Sequence, residues 1–365
     1  MKKYSLSILV VVLMLVMLIT SCNPNNTSKP TTPNGTTNGE MQRYTTYDWS
    51  SFDTVSTITG YATSGDEFDK IANEIISMLR EYHELYDIYN PYNGKENLYT
   101  INKLYNGEHR VVTVDQRIID MLLYAKEMYN KTNGKMNVAM GSVLSIWHDY
   151  RAEADENFGL GELPPMADLQ EAAKHVNIDN LIIDEANRTV YISDPQMTLD
   201  VGAIAKGYAV EMIAKTLEKR GISNFVLNVG GNIRTIGTKA NGDKWVAGIE
   251  NPGLNIDKDY IAYIGLSGEA VVTSGSYQRY YIVDGKAYHH IIDFETLMPA
   301  TYFQAVSIIC PHSGMGDGLS TALFCMPIED GMAIIESLEG VEAMWTYPDG
   351  TIVKSSGFSN YEVER

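Results

Sequence analysis

Cysteine is scarce, with three in 365 residues, and no cysteine or histidine falls at zinc-site spacing. Cys310 closes an apolar strand pattern and Cys325 lies in a helical one. An oxidising compartment would let them pair, whereas their apolar surroundings favour two buried thiols. Positive charge is also short, 28 Lys and Arg against 46 Asp and Glu, for a formal net charge of −18. That balance argues against a nucleic-acid partner and against a polybasic membrane patch. Internal repeats are absent.

What is present starts with an address. Lys2 and Lys3 precede an apolar run, Leu6 to Ile19, too short for a membrane span but right for a secretory signal. Leu18, Ile19, Thr20 and Ser21 lead into Cys22 and resemble the bacterial lipobox, in which the cysteine is lipidated and becomes the new N-terminus. Residues 1–21 are thus expected to be a signal peptide. Residues 22–43, rich in Asn, Thr, Pro and Gly, form a flexible tether, and residues 44–365 the folded part. The expected location is the extracytoplasmic face of a membrane, held by lipid.

Hydrophobic residues make up 44% of the chain, ordinary for a globule, and the part after the tether is long enough for one large domain or two intimately packed lobes. Phe68, Ile71, Ile75, Leu79 and Tyr82 recur at helical spacing, as do Ile118, Leu122, Ala125 and Tyr129, which end at Asn133–Gly134. Pro164–Pro165 launches a short helix towards His175. Asn180 to Ile192 reads as a hairpin, and Phe225 to Val229 as a strand stopped by Gly230–Gly231. Further strands follow at Lys244–Glu250, Tyr260–Leu266 and Ala270–Thr273. Helices mixed with mainly sequential strands, without a βαβ rhythm, predict an α+β fold.

Three stretches carry candidate chemistry. In TLDVGAIAKGYAV, Thr198 to Val201 reads as a strand end, and a helix starts at Ala205 and stops at Gly221. Gly202 and Gly207 between them would let backbone approach a ligand, with Asp200 and Lys206 at the turn. In Ala270 to Ala300, Ser274–Gly275, Arg279, His289–His290 and Asp293 stand together. A histidine three residues before an aspartate suits either a base held by a carboxylate or a purely structural bond. In GDGLSTALFCM, Asp317 and Thr321 share a helix face at i, i+4, with Ser320 beside them. That all-oxygen set suits Mg²⁺, although Asp317 could equally be a helix N-cap. A loop of Tyr and Asn, residues 86–102, is unusual enough to line a pocket.

These stretches, in this order, resemble the ApbE family, the FAD:protein FMN transferases, over nearly all of the chain after the tether. The carrying motifs are TLDVGAIAKGYAV, FVLNVGGNIRTIG, VVTSGSYQRYY with HHIID, and GDGLSTALF. The resemblance implies an α+β fold related to the tunnelling fold, with mainly antiparallel sheets and packed helices. It also implies FAD as substrate with Mg²⁺, and transfer of FMN through a phosphoester to a Thr or Ser of a partner, with AMP released. The partners it implies are extracytoplasmic subunits of membrane redox complexes. Carried over by residue, it puts the carbonyl of Ala203 and the side chains of Asp317 and Thr321 around the metal, with Ser320 nearby. Asp200, Lys206, Tyr89 and Ile292 would touch FAD, as would Lys135, Met136 and Asn137, which stand where the family has an Ala-Phe-Asp-like trio. His290 would be the general base, with His289 the lesser candidate. Phe52-Asp53-Thr54 stands where the family often has Met-Gly-Thr, a local flavin contact. Two other readings follow from the same residues: a Mg²⁺-dependent FAD pyrophosphatase giving FMN and AMP, and a non-catalytic flavin-binding lipoprotein.

Overall fold

The computed structural model describes residues 40–254 and 256–365. Residues 1–21, Cys22 and most of the tether lie outside the described residues. Eight strands form one sheet: β1 (Gln42–Asp48), β2 (Ser56–Ala62), β3 (Phe225–Val229), β4 (Asn232–Ile236), β5 (Ala270–Gly275), β6 (Ala305–Cys310), β7 (Glu342–Thr346) and β8 (Ile352–Lys354). They lie side by side in chain order and every neighbouring pair is antiparallel. The sheet takes in Gln42 and Arg43, which composition placed in the tether; they pair with Ala62 and Tyr61.

Between these strands, among the described residues, run six helices of eight residues or more: α1 (Gly65–Tyr86), α2 (Gln116–Lys131), α3 (Gly141–Glu156), α4 (Ala205–Lys219), α5 (Ser313–Phe324) and α6 (Ile328–Glu336). No described helix is long and apolar enough to cross a membrane. Local chemistry sets their ends. The Ser64 side chain accepts from the Glu67 amide at the start of α1. Asn133 and Gly134, at φ 51° and 83°, close α2, and Gly221 at φ 73° follows α4.

Successive sheet residues point to opposite faces, and here both faces are covered. Val272 and Ile308 join Ile75, Leu79, Ile213 and Leu319 in a core beneath α1, α4 and α5. Their neighbours Val271 and Ile309 join Ile249, Ile264 and Phe358 under a ribbon of Trp245–Glu250 paired with Tyr260–Leu266. All six residues of β6 are therefore buried. A smaller lobe packs α3 against the ribbon Tyr280–Val283 with Lys286–His289 around Trp147, Leu169, Tyr281 and Ile292, and Trp147 Nε1 donates to the Leu297 carbonyl at 3.0 Å. The α+β architecture is as expected. Cys310 and Cys325 are buried and free, and burial pushes the Cys310 thiol up to about 12.

One expected strand is not one. Thr198 to Val201 lies outside every ladder. Its backbone is satisfied by other partners: the Asn102 side chain accepts from Leu199 N–H at 2.7 Å and donates to Leu199 O at 2.9 Å. A carboxamide presents one donor and one acceptor, as a strand's peptide does, so a single side chain replaces a neighbouring strand.

Candidate active site

Helix α5 begins directly after the buried strand β6, and His312 caps it, its Nδ1 accepting from Met315 N–H at 3.3 Å. The capping role thus falls to His312, and Asp317 sits inside the helix, buried. The Asp317 carboxylate accepts from Gly207 N–H at 2.8 Å and from Lys206 Nζ at 3.4 Å. In a continuing helix that Gly207 N–H would bond the Ala203 carbonyl four residues back. Given to Asp317 instead, it leaves the Ala203 carbonyl without that helical partner.

Gly207 has a different use from the expected one. A Cβ there would lie 2.5 Å from Ser313 O, 2.7 Å from Asp317 Cβ and 2.8 Å from Asn232 Nδ2. The missing side chain lets α4 close on α5, and it is this contact that brings the amide to the carboxylate. Ser320 and Thr321 donate to the Asp317 carbonyl at 3.0 and 3.3 Å. Ser274, at the end of β5, completes the cluster, its hydroxyl 2.8 Å from that of Ser320 and 3.5 Å from that of Thr321. The sequence placed Ser274 in a motif without giving it a part.

A buried ion pair fixes this junction. The Arg234 guanidinium on β4 donates to the Glu211 carboxylate of α4 at 2.9 and 3.2 Å, and the same carboxylate accepts from Ser313 N–H at 2.8 Å, the first residue of α5. Burial opposes the charge on Glu211, but Arg234 more than offsets it and holds the carboxyl below its usual range.

Asp200 hangs beside this cluster. Its N–H donates to Val138 O at 2.9 Å and its Oδ1 accepts from Gly202 N–H at 2.8 Å. Its Oδ2 is 3.8 Å from His148 Nε2, and His148 Nδ1 is 2.7 Å from the Tyr89 hydroxyl. Tyr89 and Asp200, both expected at the cofactor, are thus joined by a histidine of α3 to which the sequence reading assigned nothing. Burial lowers the His148 pKa, with Asp200 opposing. The Tyr/Asn loop is stitched by buried Asp87, which accepts from Tyr89 N–H, Asn90 N–H and the Tyr92 hydroxyl at 2.6, 3.1 and 2.9 Å.

The two histidines separate cleanly. His289 Nε2 donates to Ala300 O at 2.8 Å, and its Nδ1 accepts from Ile291 N–H at 3.2 Å, so both ring nitrogens hold backbone. His290 Nδ1 donates to Arg279 O at 3.2 Å, and its Nε2 makes no hydrogen bond with any described residue. Burial, with Arg279 and Arg151 nearby, pushes His290 down to about 3. Asp293 does not hold it. That carboxylate is buried and accepts from Glu295 N–H at 3.1 Å and from Lys135 Nζ at 3.4 Å. The cation 2.9 Å from Glu295 wins over a neutral imidazole. Burial acts against the charge on Lys135, and Glu295 and Asp293 outweigh it, leaving its pKa raised.

The rest of the expected set is placed as follows. Met136, 1% exposed, packs against Gly318 of α5. Asn137 caps a short turn by accepting from Ala139 N–H at 2.9 Å and donates to Val176 O at 3.0 Å. Neither side chain is turned out to a ligand. Ile292 is buried in the smaller lobe. Phe52 and Asp53 adopt φ 57° and 49°, the left-handed region that glycine occupies without strain, and the Phe52 ring meets His83 edge-on at 5.7 Å.

The oxygens gathered at Asp317 are one carboxylate and three hydroxyls, all hard donors, and the Ala203 carbonyl, four residues before the amide that meets this carboxylate, lacks its helical partner. No group of three or more His, Cys, Asp and Glu gathers as a metal site among the described residues. Such a set fits Mg²⁺, which is held by one or two carboxylates, waters and substrate phosphates rather than by an all-protein cage.

The fold and this oxygen cluster define a class of α+β protein with a hard-oxygen site at the junction of two helices. The ApbE family model matches residues 52–345. A FAD:protein FMN transferase of Klebsiella pneumoniae is 28% identical over 289 residues, 79% of this chain and 85% of its own. One of Treponema pallidum is 31% identical over 261 residues, 67% and 70% of the two chains. The crystal structure of the ApbE protein from Thermotoga maritima superposes with a TM-score of 0.75 at 28% identity, covering 88% of this chain and all of that one. The flavin transferase ApbE from Vibrio cholerae, at 24% identity and TM-score 0.73, shares the fold. The chain belongs to the ApbE family.

Proposed function

We propose that this transferase moves the FMN half of FAD to a Thr or Ser hydroxyl of a partner protein and releases AMP, with Mg²⁺ bound at Asp317. The observation that carries the metal site is the Gly207 amide turned onto Asp317, which leaves the Ala203 carbonyl without its helical partner. The helix of Asp317 carries the Ser320 and Thr321 hydroxyls one turn on. Mg²⁺ would be held by Ala203 O, Asp317 and Thr321, with Ser320 supporting, and would neutralise charge on the pyrophosphate. Lys206 adds a positive charge at the same carboxylate. Asp200 and Tyr89 would meet FAD as a unit oriented by His148. Lys135 and Ile292 would line the flavin side with Phe52, while Met136 and Asn137 act by packing and capping.

His290 is neutral at physiological pH, and its Nε2 would take the proton of the acceptor hydroxyl. The hydroxyl oxygen then bonds the FMN phosphorus as the anhydride P–O bond breaks, and AMP leaves with that electron pair. Membrane redox subunits on the extracytoplasmic side are the proposed acceptors, reached by a chain anchored through Cys22.

The test is to incubate the purified chain with FAD, Mg²⁺ and candidate subunits and to read covalent flavin fluorescence in a denaturing gel. A labelled acceptor that disappears with Asp317→Ala supports the reading. AMP and free FMN with no labelled acceptor would make the chain a pyrophosphatase instead.

A further inference from the structure

Two arginines beside His290 have no part in the chemistry above. Arg151 lies on α3 one turn beyond His148 and four residues after Trp147, which packs on Tyr281 with ring centroids 6.4 Å apart. Arg279 precedes Tyr281 by two residues, and its carbonyl accepts both His290 N–H at 3.1 Å and His290 Nδ1 at 3.2 Å. Helix and ribbon therefore bring Arg151, Arg279, His148 and His290 to one place. Burial and then Arg279 lower the pKa of Arg151, and both arginines act on His148 and His290, in keeping with that arrangement.

Neither arginine makes an ion pair or a side-chain hydrogen bond with any described residue. By contrast Arg110, Arg117, Arg220 and Arg234 each lie against a carboxylate. Asp155 and Asp200 influence Arg151 from beyond ion-pair contact. Two unpaired guanidiniums on facing elements, Arg151 half-buried and Arg279 exposed, offer a local positive field to an anion in a chain of net charge −18.

We propose that Arg151 and Arg279 form a phosphate-binding site, taking a phosphate-ester dianion beside His290. One guanidinium fork satisfies a carboxylate; two forks together can match the three terminal oxygens of a phosphate monoester. The site rests on the transferase reading only for its nucleotide sources: the phosphate of AMP, or that of FMN.

The test is calorimetric titration of the full chain, without Mg²⁺ or FAD, using AMP, FMN and inorganic phosphate, with adenosine and riboflavin as phosphate-free controls. AMP or FMN should bind well above its phosphate-free control, and the tighter of the two identifies the source. R151Q and R279Q should each weaken that binding about tenfold or more. R279K, which keeps the charge but not the fork, should fall between, and K219Q, on a distant helix end, should change nothing. Circular dichroism and melting temperature report folding separately, and exposed Arg279 keeps the test open if R151Q unfolds. Binding indifferent to Arg279, or equal for esters and their phosphate-free controls, overturns the site. Phosphate binding without FAD turnover would sink the transferase reading alone; turnover with arginine-independent phosphate affinity would sink this one alone.

Discussion

His290 and His289 are adjacent, yet only one can exchange a proton without breaking a backbone contact. Because burial and two arginines depress His290 to about 3, it stays unprotonated through mildly acidic pH. The acid limb of kcat/KM for FAD turnover should therefore lie below 6.5, the usual histidine value, since that ratio reports the free enzyme. A limb at or above 6.5 would assign the base elsewhere. His290→Ala should cost about 10²–10⁴ in kcat. His289→Ala should lower melting temperature more than turnover, since its ring ties Ala300 and Ile291. His290 was picked from its motif; its partner was not, because whether Asp293 takes Lys135 or the imidazole is decided 158 residues away.

At the scale of elements, the site is the junction of α4 with α5. Gly207→Ala should separate those helices, destabilising the fold by about 1–3 kcal/mol in urea titration and abolishing FAD turnover in the protein that remains folded. Wild-type activity in that variant would show that the Gly207–Asp317 contact is dispensable. Glu211→Gln removes the more buried of the two carboxylates on Arg234, leaving half-exposed Glu218 at 3.0 Å, and should cost about 3 kcal/mol. This junction was half legible. Asp317, Ser320 and Thr321 share a face because helical spacing is local. The replacement of a strand by Asn102, 97 residues from Leu199, and the bridging of Tyr89 to Asp200 by His148 join distant segments, and no local pattern encodes them.

For the whole molecule, three half-buried histidines and Glu211 all set the same dependence on acid. His312, His290 and His148 have folded pKa values below 6.5. As pH falls through 6.5 the unfolded chain binds protons that the folded chain refuses, and stability drops. Glu211, held below 4.5, contributes stability above that value and loses it as pH falls through its folded pKa. The urea midpoint should therefore decline steadily from pH 7 to pH 4, and His312→Asn, which can still cap α5, should flatten the decline. A midpoint flat over that range would contradict these environments. Of the eight sheet strands, β3, β5 and β6 were legible from apolar runs and turn glycines, whereas β1, β2, β4, β7 and β8 carried no local pattern that singled them out. The covering of both sheet faces was not legible either, since alternating patterns do not say what lies above each face.

The carbonyl of Ala203 belongs to the backbone and so is carried by every possible residue at position 203. Side-chain scanning there would return a string of silent variants and would pass over a carbonyl that lacks its helical partner. Its visibility is displaced four positions along the chain, to Gly207, where one added methyl group crowds α5 and returns the amide to its helix. A selection experiment on this protein would thus record the freed carbonyl as intolerance at a glycine four residues away.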